Sequence, residues 1–230
     1  MEYSKREDNS PDVSGRGDKT RQSLIQAGID LFSEYGFKSS STRMIAEKAG
    51  ANIASIPYYF GSKEGLYLAV AEYIGSRIGE HIEPLYSESA EALASGRVDK
   101  EFAEKTVAKV VSVLLDFIIG TEEPRRWALI VLREQARPTK AFKHLYDPVM
   151  GRAHAMLSRL IAVASGLEPE SDESKIKAHA VIGQVLSFMA ARETIIRQLG
   201  TDGYTEKHLE LMHKIIPAMA VAAINAEPEA

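Results

Sequence analysis

Apolar residues in this chain return every three or four positions almost without a break, and that periodicity admits helices and little else. Leu24, Gly28, Leu31 and Tyr35, with Ile25 and Phe32 beside them, mark one buried helix face. Gly36 is placed to supply a left-handed residue just past that helix, with Phe37 as the apolar residue that closes the stop. A second, short helix is predicted from Thr42 to Ala49, capped by Ser41, buried through Ile45, Ala46 and Ala49 and ended by Gly50. A third begins after Asn52 and runs from Ile53 to Phe60. In it Ile56 and Phe60, four apart, face inward and leave Ile53, Ala54, Tyr58 and Tyr59 to point elsewhere. From Ser62 onward long amphipathic helices are expected. Pro84 ends the first, and Gly96, Gly120, Pro124, Pro138, Gly166 with Pro169, and Gly200 punctuate the rest. No stretch alternates with period two between turn signals, so no sheet is expected and the fold class is all-α.

The chain has 230 residues, enough for one or two domains at about 150 residues each. With no cysteine it has no disulfide framework, thiolate nucleophile or zinc finger, and no motif asks for a cofactor or metal. The longest apolar runs, Val110 to Ile119 and Ile215 to Ile224, are interrupted by Asp116 and Pro217 and fall short of the roughly 20 residues a bilayer needs. A cytoplasmic protein with no membrane partner is the expectation. Met1 to Asp18, rich in charge, Ser, Pro and Gly, reads as a disordered tail, and its Arg16-Gly17-Asp18 tripeptide as a chance match to an adhesion motif.

Net charge is −4, which alone argues against nucleic acid. The average conceals a gradient. From Gly15 to Leu66 seven basic residues face five acidic ones, whereas from Tyr67 onward 19 face 23. Any nucleic-acid function therefore belongs to the N-terminal third. There the two short helices, joined by Gly50-Ala51-Asn52, have the form of a helix-turn-helix, whose second helix enters the DNA major groove. Ser41, Thr42, Ser55, Tyr58, Tyr59 and Lys63 place hydroxyl and ammonium donors at helix starts and along the outward face, the groups that hold phosphate oxygens. Each also has a plainer reading: Ser41 and Asn52 suit helix caps, and the tyrosines can cover a neighbouring helix.

Thr42-Arg43-Met44-Ile45-Ala46-Glu47-Lys48-Ala49-Gly50 followed by Ile56-Pro57-Tyr58-Tyr59-Phe60-Gly61-Ser62-Lys63-Glu64-Gly65-Leu66 resembles the DNA-binding domain of the TetR family of bacterial transcriptional repressors. The stretch Asn52 to Phe60 is similar to the CecR branch in particular, and Arg133-Glu134-Gln135 with Pro138-Thr139, and His179 to Gly183, extend that likeness more loosely. The resemblance implies a helix-turn-helix domain over residues 19–66 and a helical ligand-binding and dimerisation domain over 67–230. It implies phosphate contacts at Thr42, Ser55, Tyr59 and Lys63 and base-edge contacts at Arg43, Ile53, Ala54 and Tyr58. Asn52 stands where the family often has a capping Ser. Pro57 stands where most of the family has Tyr; lacking the N–H that would bond the Ile53 carbonyl, it is expected to kink or loosen the recognition helix.

A palindromic operator with half-sites about 34 Å apart calls for a homodimer. Two stripes are candidates for it: Ala180, Gly183, Ser187 and Ala191 on a helix from Ser174 to Leu199, and Leu209, Met212, Ile216, Met219 and Ala223 on a helix from Thr205 to Ile224. The same stripes can equally be intrachain core. For a small-molecule effector the candidate contacts are Phe117, Trp127, Met150, Met156 and Phe188, with Arg126, Arg133, Glu134 and Gln184 as polar anchors. The rival readings are a helical enzyme and a helical adaptor without specific DNA binding. The first has only Glu210-x-x-His213, half of a di-iron motif, to recommend it.

Overall fold

A computed structural model describes residues 13–96, 98–120 and 122–226, all helix and connecting turn. The chain forms two compact units that meet in sequence after Val70.

The first unit holds α1 (Val13–Ser39), α2 (Thr42–Lys48), α3 (Ser55–Phe60) and the opening turns of α4 (Lys63–Ala94). Leu24, Ile25, Ile29, Phe32, Ile45, Ile56, Leu66 and Val70 form its core. α1 is interrupted at Gly36, whose φ of 78° and ψ of 170° lie in a region essentially closed to other residues. Phe37 then folds back, its ring 6.0 Å from Phe32 and 5.2 Å from Tyr67. The fully buried Ser40 hydroxyl lies 2.9 Å from the Leu31 carbonyl and 2.8 Å from that of Gly36, which also accepts the Ser40 N–H at 3.3 Å, so Ser40 ties the end of α1 back across the break. α1 starts inside the segment read as tail: Val13 to Asp18 are helical, Arg16-Gly17-Asp18 among them. Lengthening an existing helix needs no new nucleus, so a polar run of this kind can extend one. Residues 1–12 of that segment lie outside the described residues.

The second unit runs from the remainder of α4 through α5 (Lys100–Gly120), α6 (Glu122–Ala136), α7 (Lys140–Leu145), a π-helical turn (Tyr146–Met150), α8 (Gly151–Ser165), α9 (Asp172–Ala190), α10 (Arg192–Leu199) and α11 (Glu206–Ile224). α5 packs on α8, α9 and α11 and buries Val107, Val111, Leu115 and Ile118. α11 is pinned by His213 Nε2 to Asp116 at 2.9 Å and by Asn225 to Glu104 at 2.8 Å.

In the second unit two boundaries differ from the sequence reading. Pro84 does not end α4, which continues to Ala94; the turns beyond it bury Leu85 and Ser89, and that packing carries the helix past a residue that disfavours it by about 3 kcal/mol. The helix expected from Ser174 to Leu199 is two, broken at Ala191 (φ −112°, ψ 29°) with no Gly or Pro to announce it. The Phe188 carbonyl, which an unbroken helix would pair with the Arg192 N–H, accepts instead from the Tyr204 hydroxyl at 2.9 Å.

Candidate nucleic-acid interface and ligand cavity

Ser41 caps α2, its hydroxyl oxygen accepting from the Met44 N–H at 3.1 Å. Gly50 turns the chain with φ 63°, and Asn52 Oδ1 accepts from the Ala54 N–H at 2.9 Å. α3 consequently begins at Ser55 rather than Ile53. This corrects the reading of Pro57. It falls in the first turn of α3, where N–H groups have no intrahelical acceptor in any case, and the Ile53 carbonyl accepts from Ile56 N–H at 3.3 Å.

Around this turn the exposed groups are Arg43, Ala54, Ile53 at 50% and Tyr58 at 81%, with Thr42, Ser55, Tyr59 and Lys63 half-buried. Thr42, Ile53, Ala54 and Lys63 border one shallow cleft, together with Ile56, Pro57 and Ser62. The Tyr58 and Tyr59 rings meet edge-on at 4.8 Å. Lys63 Nζ rests 4.5 Å from the centroid of Phe37, which holds the ammonium near the cleft. Two residues of this surface escaped the sequence reading. The Ser62 hydroxyl oxygen accepts from the Gly65 N–H at 3.0 Å and caps α4; the signal was present, since Ser immediately before a helix is the commonest cap. A Cβ on Gly65 would lie 1.9 Å from the Phe60 carbonyl oxygen, and only the folded chain reveals that approach.

In the second unit, helices α4, α5, α6, α8 and α9 with the π-helical turn enclose a cavity of about 140 Å³. Phe117, Trp127, Met150 and Met156 line it, with Ile78 and Ile82 from α4. Arg133, Gln184 and Phe188 do not. On α6 the cavity-facing residues Trp127, Val131 and Gln135 are four apart, which turns Arg133 outward to solvent; on α9 Ile182, Leu186 and Met189 face the cavity, and Gln184 and Phe188, which lie between them in sequence, point to other sides. Phe188 lines a separate surface cleft with Arg192 and Tyr204. Glu134 is 2% exposed, and its carboxylate accepts from the backbone N–H and hydroxyl of Thr139 at 2.9 to 3.1 Å. It shapes the α6–α7 turn rather than offering an anchor in the cavity. Arg126 likewise is not among the cavity-lining residues.

α4 is held to α6 by a two-pronged ion pair. Arg77 Nε and Nη2 donate to Glu123 at 2.9 and 3.1 Å, and the Tyr73 hydroxyl donates to the same carboxylate at 3.3 Å. Hydrogen bonds from Arg77 hold the Glu123 carboxyl below its ordinary value of 4.5 against the opposing effect of burial. A carboxyl lowered on folding contributes stability that is fully present above its unfolded pKa and is lost as pH falls through the folded value. Acid unfolding below about pH 4.5 is therefore expected to shift to lower pH dependence in Glu123→Gln, as read from unfolding midpoints between pH 3 and 7.

Residues 24–70 match the family described as bacterial regulatory proteins, tetR family, and residues 103–226 match the C-terminal domain of the HTH-type transcriptional dual regulator CecR. The chain belongs to the TetR family of bacterial regulatory proteins, transcription regulators with a DNA-binding helix-turn-helix. Within it the similarity runs to CecR of Shigella flexneri, 32% identical over 208 residues that cover 90% of this chain and 92% of the relative. The repressor NicS of Pseudomonas putida is 30% identical over 47% of this chain and 46% of its own. The fold is shared with a TetR-like regulator of Rhodococcus (TM-score 0.62, 17% identity, covering 90% and 97% of the two chains). It is shared also with FadR of Bacillus subtilis in complex with stearoyl-CoA (0.58, 15%, 88% and 98%).

Proposed function

We propose that this chain is a ligand-responsive repressor of the bacterial cytoplasm that binds a palindromic operator as a homodimer and leaves it when a small, largely apolar molecule enters the second unit. In this reading residues 19–66 form the DNA-binding domain and 67–230 the effector-binding and dimerisation domain. The observation that carries it is α4: one helix that opens with Lys63 at the cleft of the first unit and supplies Ile78 and Ile82 to the cavity of the second. A ligand that prefers one placement of α4 biases the half-site geometry by its differential affinity for the two states, with typical couplings of about 1 to 3 kcal/mol.

Thr42, Ser55, Tyr59 and Lys63 are assigned to phosphates, and Arg43, Ile53, Ala54 and Tyr58 to base edges, with Arg43 suited to a guanine and Ala54 to a thymine methyl. Ser41 caps α2, whereas Asn52 does not cap α3, whose N-cap is Ala54 with no side-chain cap; Asn52 instead holds the Ala54 N–H in the turn before it. Lys63→Ala is expected to weaken binding to all sequences and to reduce the salt slope by about one unit per half-site. Arg43→Ala is expected to relax preference at one base position in each half-site by about 1 to 3 kcal/mol. Gel shifts across a salt series and an operator library separate the two; an unchanged slope in a folded Lys63→Ala protein removes Lys63 from the phosphate set.

The dimer reading is supported by what the folded chain leaves uncovered. Met212 and Ile216 of the expected α11 stripe are intrachain core at 8% exposure. Met219 instead shares an exposed face with Leu211 and Ile215, and α9 contributes exposed Ile176, Ala180, Gly183 and Ser187. A contiguous apolar face of this kind on a protein in water marks an interface.

A further inference from the structure

The cavity in the second unit has one chemically distinct wall, and it specifies more about the occupant than that it is apolar. Its volume, about 140 Å³, is near that of the engineered protein cavity of about 150 Å³ that accepts benzene, which limits the buried body to roughly one aromatic ring. Among the described residues no Asp, Glu, Lys or Arg lines it. Apart from Tyr86 and Trp127, whose buried Nε1–H meets no hydrogen-bond acceptor among the described residues, polar side chains enter at the edge where Gln135, Met150 and His154 also border a second, more polar cleft that includes Tyr146, Ser158 and His179. The Gln135 amide nitrogen lies 3.7 Å from the Met150 sulfur, and its Oε1 remains a second acceptor at that edge.

His154 sets the polarity of that edge. Its Nδ1 lies 2.8 Å from the Met150 carbonyl oxygen. A carbonyl can only accept, so Nδ1 carries the hydrogen, and in the neutral ring Nε2 is left as a lone-pair acceptor. Nε2 meets no hydrogen-bond partner among the described residues. The ring is half-buried and stacks against His179 at 5.7 Å between centroids. In the outer cleft Lys175 is paired with Glu170 at 3.2 Å, so neither offers a free charge to a head group.

We propose that the effector is a single-ring molecule carrying one hydroxyl that donates to His154 Nε2, a phenol in chemical class. This assignment rests on the effector-binding reading above and sharpens it. An ether oxygen can accept from Trp127 Nε1–H as a phenol oxygen can, but, like a hydrocarbon, an ether leaves His154 Nε2 unmet, while a permanently charged amine finds no counter-charge in the lining.

The test uses two isomers and a hydrocarbon on the full-length protein at pH 8, where an ordinary histidine ring is neutral. These are 4-ethylphenol, its isomer 4-methylanisole, and ethylbenzene. Binding is followed by calorimetry and by the fluorescence of Trp127, which is the chain's one tryptophan and lines the cavity. The expected result is 4-ethylphenol bound about tenfold more tightly than 4-methylanisole, as one added hydrogen bond allows. In His154→Phe that advantage disappears and the affinity for ethylbenzene is retained. The comparison on the unmodified chain needs no variant, so it stands even if the substitution unfolds the protein. Equal affinities for the three probes overturn the hydroxyl assignment and leave the cavity as the effector site. No binding and no change in Trp127 emission overturn both.

Discussion

Gly65→Ala is expected to lower the unfolding temperature by roughly 6 to 12 °C and to remove DNA binding at ordinary growth temperature. The added Cβ would stand 1.9 Å from the Phe60 carbonyl oxygen, and that atom is backbone, so no rotamer change relieves the contact. The last turn of α3 and the first of α4 must separate by more than an ångström. Overpacking a fitted site usually disfavours the fold by 1 to 3 kcal/mol; a clash against backbone belongs at the upper end, and about 3 kcal/mol in a chain of this size gives the stated shift. The separation would also displace Ser62 and Lys63, so operator affinity should fall even in the fraction that remains folded. Gly183→Ala is the control, since a Cβ there has nothing within 4 Å and alanine is the better helix residue by about 1 kcal/mol. Thermal melts with gel shifts on both variants decide the point: a Gly65→Ala protein that melts and binds like the parent means that the approach is relieved at little expense.

Ile215→Asp is expected to give folded monomers whose operator affinity is down on the order of a thousandfold. Ile215 is 48% exposed, with Leu211 and Met219 one turn to either side, so a carboxylate there is tolerated by the isolated chain and excluded from an apolar interface. Loss of the partner removes the second half-site, and the difference between specific and non-specific binding is typically 10³ or more. Gly183→Leu approaches the same interface from α9. Open space above Gly183 accommodates the side chain within one chain but separates two helices that meet there. Sedimentation that finds an intact dimer in both variants would place the interface on another surface.

The elements of this fold were legible wherever a local signal and burial agree. The α1 face apart from Tyr35, which is 48% exposed, the Ser41 cap and the Gly50 turn could be read directly, because each depends on residues within a few positions of one another; Gly36 breaks the helix as expected, but at ψ 170° rather than in the left-handed helical conformation, and the chain coils again to Ser39. The reading strayed where distant residues decide. Nothing near Ala191 foretells the break between α9 and α10, because the group that satisfies the released carbonyl is Tyr204, sixteen positions from Phe188. Pro84 carries the strongest local stop signal in its helix and is overridden by packing contributed from elsewhere. At the cavity, helix phase decides which residues face inward: Phe117, Trp127 and Met150 do, and Arg133, Gln184 and Phe188 do not. His154 could not have been found from sequence, since its significance lies in which ring nitrogen the Met150 carbonyl engages.

The break at Ala191 has a bearing on how quickly any molecule can reach the interior. α10 has eight residues and buries only Ile196, too short to persist in water by itself, and it shares no hydrogen-bond ladder with α9. The cleft bordered by Arg192, Thr194 and Tyr204 has Ile118, Leu132 and Met189 in common with the cavity wall. Local unfolding of α10 is thus among the least expensive excursions open to the second unit, and its amides should exchange with solvent well before those of α5 or α8. If an effector enters as proposed, its rate of entry would follow the opening frequency of this one short helix and its equilibrium affinity the lining, so that changes near Tyr204 would alter the speed of the response rather than its selectivity.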